Sequence, residues 1–244
     1  MKKWIRVIGW GLMAAGLVVL GFLAYQYWYT DLAAARGQQE GARQLAIRLA
    51  EVEVEVEAEV AVEVTPSGQP DANPRPNKVV IPPTELFTEE PPEPGTAFAE
   101  VRIPSIEVDE VVFEGVDVPT LQLGPGHMPW TPLPGQPGNA VMSGHRTTYG
   151  APFNRIDELS PGDKIVVISA VGRHVYKVRE TLVVEPTDIW VTDPRSGGWL
   201  TLTTCHPEFS AQERYIVHAE MVKGPNLRYI RANPDHQLAA AQQG

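Results

Sequence analysis

The chain has one cysteine, Cys205, and its neighbours are arranged for its use as a nucleophile. Thr201-Leu202-Thr203-Thr204-Cys205 alternates hydroxyl and apolar side chains, the period of a β-strand. Pro207 cannot donate to a ladder and ends that strand. Residues 214–221 form a second strand, rich in β-branched side chains, that opens on Arg214. A thiol thus sits at the tip of one strand and a guanidinium at the start of the next. Attack on a peptide carbonyl needs a thiolate, a proton donor for the departing amine and a stabiliser for the oxyanion. Cys205 is the candidate nucleophile. Arg214 is the candidate for holding the oxyanion or substrate carbonyls through its forked donors. His145 follows an apolar run and Gly144, so it falls at a strand end that a cleft can reach, and it is the candidate proton donor. Thr204, next to the thiol, is a candidate for substrate contact. Counted alone, a single cysteine is as readily a buried, inert one; the residues around it argue for catalysis.

Other histidines compete for the acid role. His206 adjoins Cys205, but adjacent strand residues point to opposite faces. His218 shares strand parity with Arg214 and reads as a hydrogen-bonded core or rim residue. His127 lies in a Pro/Gly loop and reads as structural; His174 and His236 read as surface residues. No paired ligand spacing suggests zinc, and no acidic loop in the globular part suggests calcium, so no metal or cofactor is expected.

Two motifs carry a family resemblance. Thr-Leu-Thr-Thr-Cys with its downstream Arg214 resembles the catalytic motif of the sortases, which are cysteine transpeptidases. The segment Gly138-Asn139-Ala140-Val141-Met142-Ser143-Gly144-His145-Arg146-Thr147-Thr148-Tyr149-Gly150-Ala151-Pro152-Phe153 resembles that family's histidine strand and the loop after it. The His206-Pro207 and Val217-His218-Ala219 steps are most similar to class E. The likeness runs from about residue 101 to 221. It implies an eight-stranded barrel and attack by Cys205 on the Thr–Gly bond of a Leu-Pro/Ala-X-Thr-Gly signal near the C-terminus of a secreted protein. It further implies a thioester, resolved by an amine on a cell-wall precursor. A class E tyrosine in this region is implicated in reading a signal with Ala at its second position; Tyr149 is the nearest match, and a plain loop aromatic is the alternative. Gly124-Pro125-Gly126-His127 resembles a further family segment, from which Met128 and Trp130 depart. A sortase of another class, such as class D or a pilin polymerase, would use the same residues. The non-enzymatic alternative is a tethered barrel that binds wall or secreted partners with Cys205 inert. A papain-like protease lacks its Cys-Gly-Ser-Cys-Trp element here.

The supporting elements divide the 244 residues into four stretches. In residues 1–30, Lys2, Lys3 and Arg6 precede an uncharged run from 7 to 30, about 33 Å or more as a helix, enough to cross a bilayer. Tyr25, Tyr27, Trp28 and Tyr29 supply an aromatic belt at its far end. The basic cluster favours a cytoplasmic N-terminus and an extracellular catalytic domain in a single-pass protein of the cell membrane. The run is too long, and the aromatics too bulky before Ala33-Ala34-Ala35, for a typical cleaved signal. Residues 31–96 read as a low-complexity, acidic and Pro-rich spacer, disordered, whose Pro-rich stretch from 66 to 95 holds the domain off the membrane; its first part, to residue 49, is helix-prone. Residues 97–223 are the globular, all-β domain, short strands with Gly/Pro turns that suit a closed barrel or a sandwich. Residues 224–244 read as a loosely held tail. The net charge of −10 makes nucleic acid an unsuitable partner.

Overall fold

A computed structural model describes residues 2–25, 29–63 and 85–236. Two helices, α1 (Lys2–Ala24) and α2 (Thr30–Glu63), precede eight strands: β1 (Ala97–Ile103), β2 (Val108–Glu114), β3 (Gly126–His127), β4 (Gly138–Ser143), β5 (Lys164–Ser169), β6 (Gly172–Val184), β7 (Gly198–His206) and β8 (Glu213–Lys223). They close into one barrel in the order β1-β2-β3-β4-β7-β8-β6-β5, as expected. β3 lies inside the Gly/Pro-rich stretch that reads as a loop in the sequence, too short to show a period. The interior is filled by Phe98, Val101, Ile103, Val112, Met142, Phe153, Ile156, Leu200, Leu202 and Val217, all buried. On β7 the alternation is decisive: Leu200 and Leu202 turn inward, which sends Thr201, Thr203 and Cys205 to the outer face.

The pairing that matters most for chemistry is parallel. β4 and β7 align Gly138 with Gly198 through to Ser143 with Thr203. The ladder continues one step, with the Gly144 amide donating to the Thr203 carbonyl at 3.1 Å. Just beyond it, His145 and Cys205 line one cavity. β8 lies antiparallel on the other side of β7 and pairs Cys205 with Arg214.

Two stretches differ from their sequence reading. The helix-prone start of the spacer does form a helix, and the first part of α2 lies against the barrel instead of running free. Ala34 and Leu45 are buried. A Cβ at Gly41 would meet Phe113 at 2.6 Å, and one at Gly37 would meet Leu123 at 2.9 Å, so both glycines permit the close approach. Gln38 acts like a strand residue: its Oε1 accepts from Val111 N at 2.6 Å, and its Nε2 donates to the Val111 and Leu123 carbonyls, each at 3.0 Å. This stripe of small residues and one amide lacks the bulky apolar period that announces a packed helix. Residues 64–84, with most of the spacer's prolines, and the aromatics Tyr27 and Trp28 lie outside the described residues. The described part of the tail, residues 224–236, is also held. Asn226 is buried and exchanges hydrogen bonds with the Phe87 backbone, at 2.9 and 2.8 Å, and a short helix α3 (Leu227–Ala232) buries Ile230 in the core.

His174, read as a surface residue, is fully buried on β6. It shares strand parity with the core residues Tyr176 and Val178, so it points inward, and two loops close over its ring at glycines; a Cβ on Gly135 would stand 2.2 Å from the ring and one on Gly224 2.9 Å. Burial pushes the pKa values of His174 and His218 down to about 4, from 6.5, with the neighbouring Arg195 adding to the effect at His218. Between those values the unfolded chain binds more protons, so the stability they lend is complete above pH 6.5 and is lost as pH falls towards 4. The loss is on the order of 1–3 kcal/mol for each histidine. Glu110, half-buried and raised to about 7, offsets part of it with the opposite slope. Urea midpoints at pH 7 and pH 4.5 should therefore differ, and the difference should shrink in His174→Gln. Equal pH sensitivity in the two proteins would contradict this origin.

Candidate active site

Cys205 and His145 line the same cavity, of about 460 Å³. Arg146, Thr147 and Thr148 from the histidine loop and Phe209, Ser210 and Ala211 from the β7–β8 loop share its wall, with Phe22 and Leu23 of α1. Cys205 is half-buried and not in a disulfide. Partial burial of His145 holds its imidazole below the ordinary histidine range, so at neutral pH the neutral ring predominates. The Thr148 hydroxyl is 3.5 Å from its Nδ1. Tyr149 packs on the ring with centroids 5.0 Å apart and planes tilted by 34°.

Arg214, beside Cys205 across the β7–β8 ladder, lines a second, outer groove of about 170 Å³ with Thr201, Thr203, Ile216, Val141 and Ser143. Ile189 and Val191, in the segment between β6 and β7, form its opposite wall. The Arg214 Nη1 donates to the Ala211 and Glu213 carbonyls, each at 3.0 Å. Thr204 turns inward and is buried; its hydroxyl donates to the Gly144 carbonyl at 2.7 Å. The hydroxyl expected near substrate instead clips the cysteine strand to the residue before His145.

The competing histidines fall elsewhere. His206 packs against Tyr215, 5.6 Å between centroids with the rings tilted by 47°, on the face away from the thiol, as strand parity requires. His218 Nδ1 is 2.8 Å from the Thr201 hydroxyl, which donates to Asn139 Oδ1 at 2.6 Å. Buried His127 sits 2.8 Å from Glu114 Oε2 and 3.0 Å from the Pro132 carbonyl, a seam between β2 and the loop after β3. Three contributors escaped sequence reasoning. Arg146 is buried beside the histidine and paired with Asp157 at 2.7 Å and Glu208 at 3.8 Å. Gln122 Nε2 donates to the Tyr149 hydroxyl at 3.1 Å. Asp31 accepts from the Gly150 amide at 3.0 Å. Only Arg146 carried a signal, its place directly after His145.

A closed eight-stranded barrel in which a cysteine near the end of β7 and a histidine just past the end of its parallel neighbour β4 line one cavity has the architecture of the cysteine transpeptidases. The chain belongs to the sortase family: residues 101–222 match the Sortase domain. It is 32% identical over 234 residues to Sortase SrtE1 of Streptomyces coelicolor, covering 89% of this chain and 57% of that protein, so it spans little more than half the length of that relative. Similarity to Sortase D of Bacillus subtilis is 35% over 136 residues, covering 54% of this chain and 67% of that protein. The crystal structure of Sortase E1 from Streptomyces coelicolor with a tripeptide in the active site matches with a TM-score of 0.51 at 34% identity, covering 59% of this chain and 94% of that one.

Proposed function

We propose that this chain is a membrane-anchored, class E-type sortase that cleaves the Thr–Gly bond of a Leu-Pro/Ala-X-Thr-Gly signal and passes the acyl group to a cell-wall amine. The observation that carries this reading is the β4–β7 register, which leads His145 and Cys205 into one cavity. The outer groove beside it suits an extended peptide entering towards Cys205. In the reaction, the Cys205 sulfur attacks the Thr carbonyl carbon while neutral His145 takes the thiol proton. The C–N bond then breaks, and the imidazolium returns that proton to the Gly nitrogen, leaving a Thr thioester and a free amine. An incoming amine reverses the sequence. Arg214 holds developing charge on the carbonyl oxygen. Tyr149, against His145, reads the second signal position, and Thr204 keeps the two reactive strand ends together.

The anchor is α1: Lys3–Ala24 is 22 residues long and apolar enough to cross a bilayer. Its basic start favours a cytoplasmic N-terminus. Phe22 and Leu23 of that helix wall the cavity, which supports a reaction close to the extracellular membrane surface.

Two quenched peptides, identical except for Ala or Pro at the second position, test the proposal on the full chain in nanodiscs with hydroxylamine as the amine. Faster cleavage of the Ala peptide is expected. A Pro preference would favour a class D-type reading, which the Bacillus relative also supports. Cleavage of neither would end the sortase assignment of substrate.

A further inference from the structure

The loop that carries His145 and Tyr149 is strained, and its tie-down comes from outside the barrel. Tyr149, Gly150 and Ala151 are consecutive left-handed residues, with φ of 52°, 75° and 45°. Two of the three bear a Cβ, at about 1–2 kcal/mol each. Such a run persists only where surrounding contacts over-determine it. Its flanks are held within the loop: Ala151 N donates to the Thr148 carbonyl at 3.0 Å and Phe153 N to the His145 carbonyl at 3.1 Å. The Gly150 amide in the middle is taken by Asp31 Oδ1, 3.0 Å away in the first turn of α2. Ala34 on the same helix backs Gly150, 3.5 Å from where its Cβ would be. On the other side Gln122 holds the Tyr149 hydroxyl, and the Tyr149 ring lies on His145.

We propose that Asp31 is a positioning residue for His145, acting through the Gly150 amide and the Tyr149 ring, so that α2 fastens the proton-carrying loop to the end of the membrane anchor. This rests on the reading of Cys205 and His145 as the reacting pair. Asp31 touches neither. Its carboxylate fixes the left-handed bend that seats Tyr149, and Tyr149 fixes the imidazole. The helix itself stays docked without Asp31, because Gln38, Ala34 and Leu45 hold it independently.

The test uses the full chain in nanodiscs with Asp31→Ala, Asp31→Asn and Gln122→Ala. Asp31→Ala should lower kcat for the peptide about ten- to a hundredfold, with KM within about twofold, the signature of a displaced catalytic group. Asn keeps an accepting oxygen and should restore most of the rate. Gln122→Ala should reproduce part of the kcat loss from the opposite side. Amide exchange of residues 146–153, read by mass spectrometry, should speed up about tenfold or more in Asp31→Ala and return in Asp31→Asn. That readout needs no turnover, so it stands even if the wild type cleaves neither peptide, an outcome that would count against the substrate reading alone. Unchanged exchange and unchanged kcat in Asp31→Ala would overturn the proposal, as would an Asp31→Asn protein as impaired as the alanine variant.

Discussion

Cys205→Ala in the full chain is expected to abolish both peptide cleavage and transfer, a loss of more than about 10³-fold. Cys205 is the one cysteine in the sequence, and it faces the cavity, not the core. Without the sulfur no thioester can form, so hydrolysis and aminolysis disappear together; a variant that lost transfer but kept cleavage would point to a water-activating mechanism. Cys205→Ser should be nearly as inactive. A serine hydroxyl is far less acidic than a thiol, and His145, held below the usual histidine range by burial, is a weak base to activate it. Folding should be little affected in either variant, because the inward packing of β7 rests on Leu200 and Leu202. Matching unfolding midpoints would show that the lost activity is chemical.

His145→Asn is expected to cost about 10²- to 10⁴-fold in kcat/KM, the usual range for a proton-transferring side chain. Asparagine keeps the hydrogen-bonding shape and removes the titration. The wild-type pH profile carries the sign. Burial lowers the His145 pKa below 6.5, so the neutral imidazole that accepts the thiol proton appears as pH rises through that lower value. The acid limb of kcat/KM should therefore have its midpoint below 6.5 and be absent in His145→Asn. If activity instead falls as pH rises through that region, the resting enzyme needs imidazolium, and the order of proton transfers set out here is wrong.

Much of the site was legible because it depends on short-range patterns. The hydroxyl–apolar alternation of residues 200–205 fixed which face Cys205 occupies, and the same parity argument excluded His206, which packs against Tyr215. The family motifs named His145, but nothing local in the sequence says that residues 145 and 205 are neighbours. That follows from a parallel pairing of strands sixty positions apart. The docking of α2 was hidden for a different reason. Ala34, Gly37, Gln38 and Gly41 bind by close backbone approach and one amide, and such residues leave no hydrophobic period. His174 was misread because polarity alone suggests a surface residue; it shares strand parity with the core residues Tyr176 and Val178, points inward, and is closed over by two glycine loops. Asp31 reaches the histidine loop from more than a hundred positions away, across a spacer-like sequence, so only the folded chain reveals it.

The most direct measurement is the intact mass of the full chain after brief incubation with the Ala-type signal peptide and rapid acid quenching. The expected result is a single adduct, equal to the peptide's fragment up to Thr, located on Cys205 and released by hydroxylamine. It should be missing from Cys205→Ala and scarce in His145→Asn. Efficient cleavage with no acyl adduct under any quench, or an adduct on a residue other than Cys205, would contradict the account.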